Sequence, residues 1–302
     1  MLSQLVIGGP STKPEAILQG SPRIFSALFG RSVAAGSYSM EAMARVPRGQ
    51  VFSAQSRSRG TDQLVLGKFP RVEVVPVLPQ LGALRFAEVN DLNVYVWNDG
   101  AEVTLIDSGL PGSAGEIEHG LRALGFAPDQ VRRVILTHAH DDHVGSAADL
   151  AEWGAEIWAH HADADIVRGE RPQPAPVLRD WERPIAEALE LGPPPRPAPV
   201  HRELRGGEVL DFGGGAEILA LPGHTEGSLA LYLPHHRVLF TGDTLANLRG
   251  VTMPGVFNLD STAVDAAAHR LAALDVDIVC VGHGDVLRGE PLRAWQSQRS
   301  AH

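Results

Sequence analysis

The sequence predicts an α/β fold: two sheets packed face to face, with helices on the outside. Three observations predict it. From about Arg71 onward, strand-like and helix-like segments alternate, first in one half of the chain and then in a second. Histidine and aspartate clusters recur at the ends of apolar runs in both halves. The 302 residues, 44% apolar and 21% charged, suit one large globular unit.

The elements follow in order. Residues 72–79 (VEVVPVLP) and 93–100 (NVYVWNDG) read as strands, from their β-branched and aromatic content and the turn at Asn98-Asp99-Gly100. Residues 101–109 (AEVTLIDSG) form a buried strand ending at Asp107. Residues 113–126 carry Ile117, Leu121 and Leu124 at helical spacing. A strand over 131–138, a helix over 146–154 closed by Gly154, and a strand over 155–160 continue the alternation. Residues 168–200 break it. RPQPAP and GPPPRPAPV can neither pair in a sheet nor continue a helix, so this stretch is expected to be a surface insertion, with one helix over 177–191. Residues 207–212, 216–223, 228–234 and 237–243 then make a meander of short strands, with a hairpin turn at Pro234-His235-His236-Arg237. Residues 262–274 form a helix with Val264, Ala268 and Leu271 on one face, and 276–284 the last buried strand.

Residues 1–60 are rich in Ser, Gly, Ala and Arg and poor in acids. The run IFSALFG is too short, and too soon followed by Arg31, for a secretory signal; the composition also matches organellar transit peptides. The expectation is a disordered extension, or a start codon set too early with Met40 or Met43 the true beginning. The packed domain is expected over 71–290, with a tail over 291–302. A formal charge of −10 argues against a nucleic-acid or anionic-membrane partner. No apolar run approaches the ~20 residues of a membrane helix. A single cysteine, Cys280, excludes an intramolecular disulfide. A small-molecule substrate and a cytoplasmic location are therefore expected; the oligomeric state is left open.

The chemistry is concentrated in four segments. THAHDDHVG, at 137–145, places His138, His140, Asp142 and His143 just past a strand. LPGHTEGS adds His224, FTGDT adds Asp243 and VGHGD adds His283, each at a strand end and beside glycine. Loops at strand ends are where scaffolds hold functional groups. Neutral imidazole and carboxylate suit Zn(II), Mn(II) and Fe(II). One catalytic zinc takes three protein ligands and a water. Five histidines and two aspartates exceed that set, and fit two ions sharing a carboxylate, ~3.5–4 Å apart across a water deprotonated near neutral pH.

HAHDDH matches the H-x-H-x-D-H signature of the metallo-β-lactamase fold superfamily, and GH, GD and GHG follow in that family's order; residues 84–284 resemble it. The resemblance implies a four-layer αββα sandwich with the site at one edge of the sheets. It implies one metal on His138, His140 and His224, a second on Asp142, His143 and His283, and Asp243 as the bridge. Asp107 resembles the family's structural aspartate and is expected to orient a ligand histidine. Zinc is the first expectation, with manganese or iron also suited. Two divalent ions, two aspartates, a hydroxide and neutral histidines leave the site at about +1, which suits a carbonyl whose oxygen gains negative charge. The bridging hydroxide is then the nucleophile, and Asp142 is the candidate to pass a proton to the leaving group.

Departures from subfamilies narrow the expectation. Asp243 stands where typical zinc β-lactamases carry Cys or Ser. The large inserted domain of the RNA-processing members is missing, as are the flavin domain and the glutamate of the flavodiiron members. What is left resembles the glyoxalase II and lactonase type: a hydrolase of an ester, thioester or lactone. Residues 283–302 are too few for glyoxalase II's C-terminal helical domain, so the insertion is expected to wall the pocket. Trp181, Phe257 and Asn258 are its candidate substrate contacts. The alternatives are a metal-dependent binding or regulatory protein on the same fold, a β-lactam hydrolase, and an iron-dependent persulfide dioxygenase. Other polar residues read as structural. Asp141 is a solvated neighbour, HHADAD (160–165) caps or faces solvent at a helix start, and His235 and His236 sit in a turn. His119 and His269 are expected to be exposed on helices, and Cys280, Trp153 and Trp158 to pack.

Overall fold

The segment Leu92–Asn98 is buried at every position but the last, so it lies between two layers. Its side chains alternate. Val94 and Val96 join one apolar cluster, and Tyr95 and Trp97 join another on the opposite face. The architecture grows from that two-sided strand. The computed structural model describes residues 72–87, 91–189 and 192–289, together with Leu292. The extension expected over 1–60 and, Leu292 apart, the tail expected over 291–302 lie outside the described residues.

The first sheet holds β1 (Val72–Leu78), β2 (Leu81–Phe86), β3 (Leu92–Asn98), β4 (Val103–Ile106), β5 (Val131–Ile135), β6 (Glu156–His160) and β7 (Arg202–Leu204), in chain order. Strands β1 to β4 are antiparallel, and β4 to β7 are parallel. Parallel neighbours need crossovers, and helices supply them. They are α1 (Ala114–Ala123), then α2 (Asp141–Val144) with α3 (Ala147–Glu152), then α4 (Ala164–Val167) and the insertion with α5 (Arg183–Ala188). The second sheet is built from β8 (Val209–Leu210), β9 (Ala216–Ala220), β10 (Leu229–Leu233) and β11 (Val238–Gly242). Next come a separate hairpin of β12 (Leu245–Leu248) and β13 (Val251–Pro254), and the helix α6 (Ser261–Leu271). The sheet closes with β14 (Ile278–Val281), parallel to β11, and β15 (Leu287–Arg288), giving the order β15-β14-β11-β10-β9-β8.

Three apolar clusters stack between these layers. Leu105, Val134 and Ile157 of the first sheet meet Ile117 and Leu121 of α1 and Leu150 of α3. Tyr95, Trp97, Ile135 and Trp158 meet Ile218, Leu231, Phe240 and Cys280 between the sheets. Leu239, Val279 and Val281 meet Ala267, Ala268 and Leu271 of α6. The result is the expected αββα sandwich. Among the described residues no helix is long and apolar enough to cross a membrane.

The structure also departs from the sequence reading. Strand β2, LGALRF, has no β-branched residue and was not expected; ladders to β1 and β3 on both sides hold it. The short strands β7, β12, β13 and β15 were not expected either, because two to four residues carry no periodicity. Among the described residues of the helix expected over 177–191, which end at Leu189, only α5 is helical, with Pro184 in its first turn. Gly154 closes α3 as expected, at φ 95°.

Trp97 fills the space between the sheets and is fully buried. Trp97→Ala is expected to lower unfolding stability by about 3–5 kcal/mol, read from urea melts. A loss below about 1 kcal/mol would contradict the inter-sheet core described above.

Candidate metal centre

β9 and β11 both run antiparallel to β10, and β14 runs parallel to β11, so these three strands end at one edge. His224 follows β9, Asp243 follows β11 and His283 follows β14. Across the gap, Leu229 N donates to Thr137 O at 2.9 Å, which ties the end of β5 to the same edge. Residues His138 to His143 come from that end, with Asp142 and His143 on the short helix α2. The topology thus brings all seven expected side chains together, although they span residues 138 to 283 of the sequence.

They form overlapping donor groups: His138, His140 and His224; His138, His143 and Asp243; Asp142, His143 and His283. His138 Nε2 is 3.1 Å from His140 Nδ1 and 3.2 Å from His224 Nε2. His283 Nε2 is 3.2 Å from Asp142 Oδ2 and 3.4 Å from Asp243 Oδ2. His143 Nε2 is 3.4 Å from Asp243 Oδ1. Gly282 permits this approach, because a Cβ there would collide with Asp243 Oδ1 and lie 2.9 Å from His143 Cε1.

Hydrogen bonds fix which nitrogen each ring presents. Asp107 Oδ2 sits 2.8 Å from His143 Nδ1, so Nδ1 carries the proton and Nε2 faces the cluster. Asn258 Oδ1 does the same for His224, also at 2.8 Å. Thr137 Oγ1 donates to Asp107, which leaves its lone pair for His138 Nδ1–H at 3.1 Å. His138 and His224 therefore aim two bare Nε2 lone pairs at each other across 3.2 Å. Without a proton or a cation between them that contact is repulsive. A proton is disfavoured: burial and the neighbouring histidines hold His138 well below the usual imidazole range, and burial lowers His224 too. Burial, helped by His224, pushes His140 down to about 3. A cation fits, since nitrogens about 2.0–2.1 Å from one tetrahedral zinc lie about 3.3 Å apart. His143 Nε2 and Asp243 Oδ1, 3.4 Å apart, are also buried without a hydrogen bond, a cost that their mutual charge or a bound cation offsets.

The acidic side of the centre behaves oppositely. Burial alone would lower His143, but Asp243, Asp107 and Asp142 raise it to about 10. His283 is raised as well, with burial opposed by Asp243 and Asp142. Burial opposes ionisation of Asp142 and Asp243, yet the charges of His143 and His283 hold both carboxyls below their usual range.

Several residues that hold the centre together were not expected from the sequence. Asp163, within HHADAD, holds the N-cap position of α4 as expected, but its side chain neither caps the helix nor faces solvent and is 1% exposed. Its carboxylate accepts from Ala139 N (2.9 Å), Thr225 Oγ1 (2.7 Å) and Gly227 N (2.8 Å), and so staples the His138–His140 loop to the His224 loop. Apolar Ala164 and Val167 on the buried face of α4 were the available signal. Asn93 donates to Val281 O and Gly284 O, at 3.2 and 2.8 Å, and anchors the loop that carries His283. Asn258 corrects an expectation. It lies fully buried behind His224, so it orients a ligand and does not line a cleft. Phe257 beside it is half-buried, and Trp181 packs its ring 4.8 Å from the Arg179 guanidinium. Asp107 orients His143 and also accepts from Thr137 N at 2.7 Å, from a left-handed backbone at φ 66°. Asp141, His119 and His269 are exposed, and Cys280 and Trp158 are buried, as expected; Trp153 is half-buried.

The sequence matches the metallo-beta-lactamase superfamily over residues 89–283. The chain belongs to that superfamily. Bacillus subtilis (strain 168) YobT is 29% identical over 230 residues, which cover 72% of this chain and 93% of that protein. The hydroxyacylglutathione hydrolase GloC of Haemophilus influenzae is 29% identical over 193 residues, covering 63% and 83%. The crystal structure of a metallo-beta-lactamase family protein from Thermus thermophilus shares the fold, with a TM-score of 0.54 at 24% identity over 76% of this chain and 79% of that one. Hydrolase chemistry is supported at the level of the superfamily, and the histidine and aspartate groups of this member could hold metal.

The imidazole environments set a pH test. At about pH 8 the metal-free protein is expected to show His143 protonated on both nitrogens and His140 neutral, by 15N histidine spectra. His143 is raised above its ordinary value of 6.5, so its proton stabilises the metal-free fold below that value, and the contribution is lost as pH rises through about 10. A ligand histidine must be neutral, so adding Zn(II) removes the His143 proton. A neutral His143 in metal-free protein at about pH 8 would contradict this electrostatic assignment.

Proposed function

We propose that the chain is a hydrolase that holds two divalent cations on these seven side chains and cleaves a carbonyl substrate: an ester, a thioester or a lactone. One observation carries the reading. Asp243 faces histidines of both groups: Oδ2 lies 3.7 Å from His224 Nε2 and 3.4 Å from His283 Nε2, and Oδ1 lies 3.4 Å from His143 Nε2. A carboxylate so placed can belong to two donor sets at once. His138, His140 and His224 would hold one ion, and Asp142, His143 and His283 the other. Zinc is the first choice for this donor set, with manganese or iron next. When bound, such a pair supplies Lewis acidity and a water acidic enough to attack near neutral pH.

The chain's own groups do the rest. Thr137, Asp107 and Asn258 keep His138, His143 and His224 in the tautomer that presents Nε2. Asp142, whose side chain is 31% exposed beside His283, is the candidate to relay a proton to the leaving group. Gln173 of the insertion donates to Ala139 O and, at 3.2 Å, to Asp141 Oδ1, which brings the insertion to the mouth of the centre as a pocket wall. GloC, a hydroxyacylglutathione hydrolase, supports an acyl substrate. The acidic composition and single cysteine support a small-molecule substrate in the cytoplasm.

A panel of esters, thioesters and lactones, with a β-lactam and a glutathione persulfide as comparators, tests the proposal. Turnover of an ester, thioester or lactone is expected. His138→Ala and Asp243→Ala are each expected to lower it more than about 100-fold, since even outer-shell changes at metal sites cost 10–100-fold. Undiminished turnover in either variant refutes the mechanism. Bound metal without turnover would favour a binding protein, and oxygen uptake with the persulfide a dioxygenase.

A further inference from the structure

The insertion and the loop 255–258 meet at a buried carboxylate outside the donor set. Glu182, just before α5, is fully buried. It accepts from Arg179 N at 2.7 Å, from Arg179 Nε and Nη2 at 3.2 and 3.0 Å, and from Phe257 N at 3.3 Å. Arg179 in turn reaches Gly255 O at 3.5 Å, and Val177 N donates to Asn258 O at 2.9 Å. Phe257 holds φ 59°, a left-handed backbone that a bulky aromatic residue adopts only under constraint. The next residue is Asn258, whose Oδ1 fixes the His224 ring. We propose that Glu182 is a positioning residue for His224, acting through the strained Phe257 backbone and Asn258, so that the seating of the insertion sets the affinity of the pocket formed by His138, His140 and His224.

The chain of contacts makes the effect one-sided. His143 is oriented by Asp107, His283 sits on the loop that Asn93 anchors and lies 3.2 Å from Asp142 Oδ2, and among the described residues Glu182 bonds to Arg179 and Phe257 instead. Releasing Phe257 therefore loosens one ligand of one donor set. Tuning of this kind through an outer partner typically changes metal affinity by 10–100-fold.

The inference rests on the two-cation reading, so the test carries two readouts. Stepwise zinc affinities are measured on the full chain by competition with a chromophoric chelator. Glu182→Ala is expected to weaken one constant by about 10-fold and to leave the other within about 2-fold. Glu182→Gln, which keeps an acceptor oxygen for Phe257 N, is expected to fall between; should Glu182→Ala not fold, this variant carries the same comparison. Arg183→Ala, exposed on α5, is expected to change neither constant. Combined with Asn258→Ala, the Glu182 change is expected to add nothing, because both act along one route. Equal weakening of both ions, additive effects, or no change would overturn the coupling. The second readout needs no metal. In 15N spectra, His224 is expected to be protonated at Nδ1 in the wild type and to become a tautomer mixture in the Glu182 variants. A chain that binds neither zinc, manganese nor iron yet shows that change would sink the proposed function and support the coupling. An unchanged His224 tautomer would overturn the coupling whatever the metal content.

Discussion

The centre is held against its own chemistry. Two histidine nitrogens, both stripped of protons by their hydrogen bonds, face each other at 3.2 Å in a buried pocket. Left to themselves, loops bearing such groups would spread apart. They stay because other carboxylates and amides tie them down. Asp107 joins the end of β4 to the end of β5 and to His143. Asp163 joins the His138 loop to the His224 loop, and Asn93 joins β3 to the His283 loop. Each satisfies backbone N–H or C=O groups that sheet edges would otherwise leave buried and unpaired, at about 1–3 kcal/mol apiece. The same bonds that finish the fold thus gather the seven metal-ligand side chains at its rim.

This division of labour explains the asymmetry within the centre. Where histidines crowd together, burial lowers their proton affinity. Where they face Asp142 and Asp243, the carboxylates reverse the sign for His143 and His283. In the proposed two-cation reading, one half would accept a cation without losing protons, and the other would exchange a proton for it. Asp243 lies between the halves, and the strain-free approach at Gly282 lets its carboxylate reach both.

Much of this was legible in the sequence, for physical reasons. THAHDDHVG, GH, GD and GHG sit after apolar runs, and a strand that ends at a sheet edge delivers whatever follows it to that edge. The strands rich in Val, Ile, Tyr and Trp were legible from their composition, as was α1 from its spacing. LGALRF was not, because its ladder partners, and not its residues, make it a strand. Asp163 was hidden because HHADAD resembles any polar helix start, and its three partners lie at Ala139, Thr225 and Gly227. Asn258 was placed in the right loop but given the wrong direction. Nothing local to VFNLD says that the asparagine turns inward to His224 while the chain bends at Phe257.

The most direct measurement is anomalous diffraction at the zinc edge from crystals of the metal-loaded protein. Two peaks about 3.5–4 Å apart are expected, one among His138, His140 and His224 and one among Asp142, His143 and His283, with Asp243 between them. A single peak, or none in the midst of these side chains, would contradict the paired-cation centre.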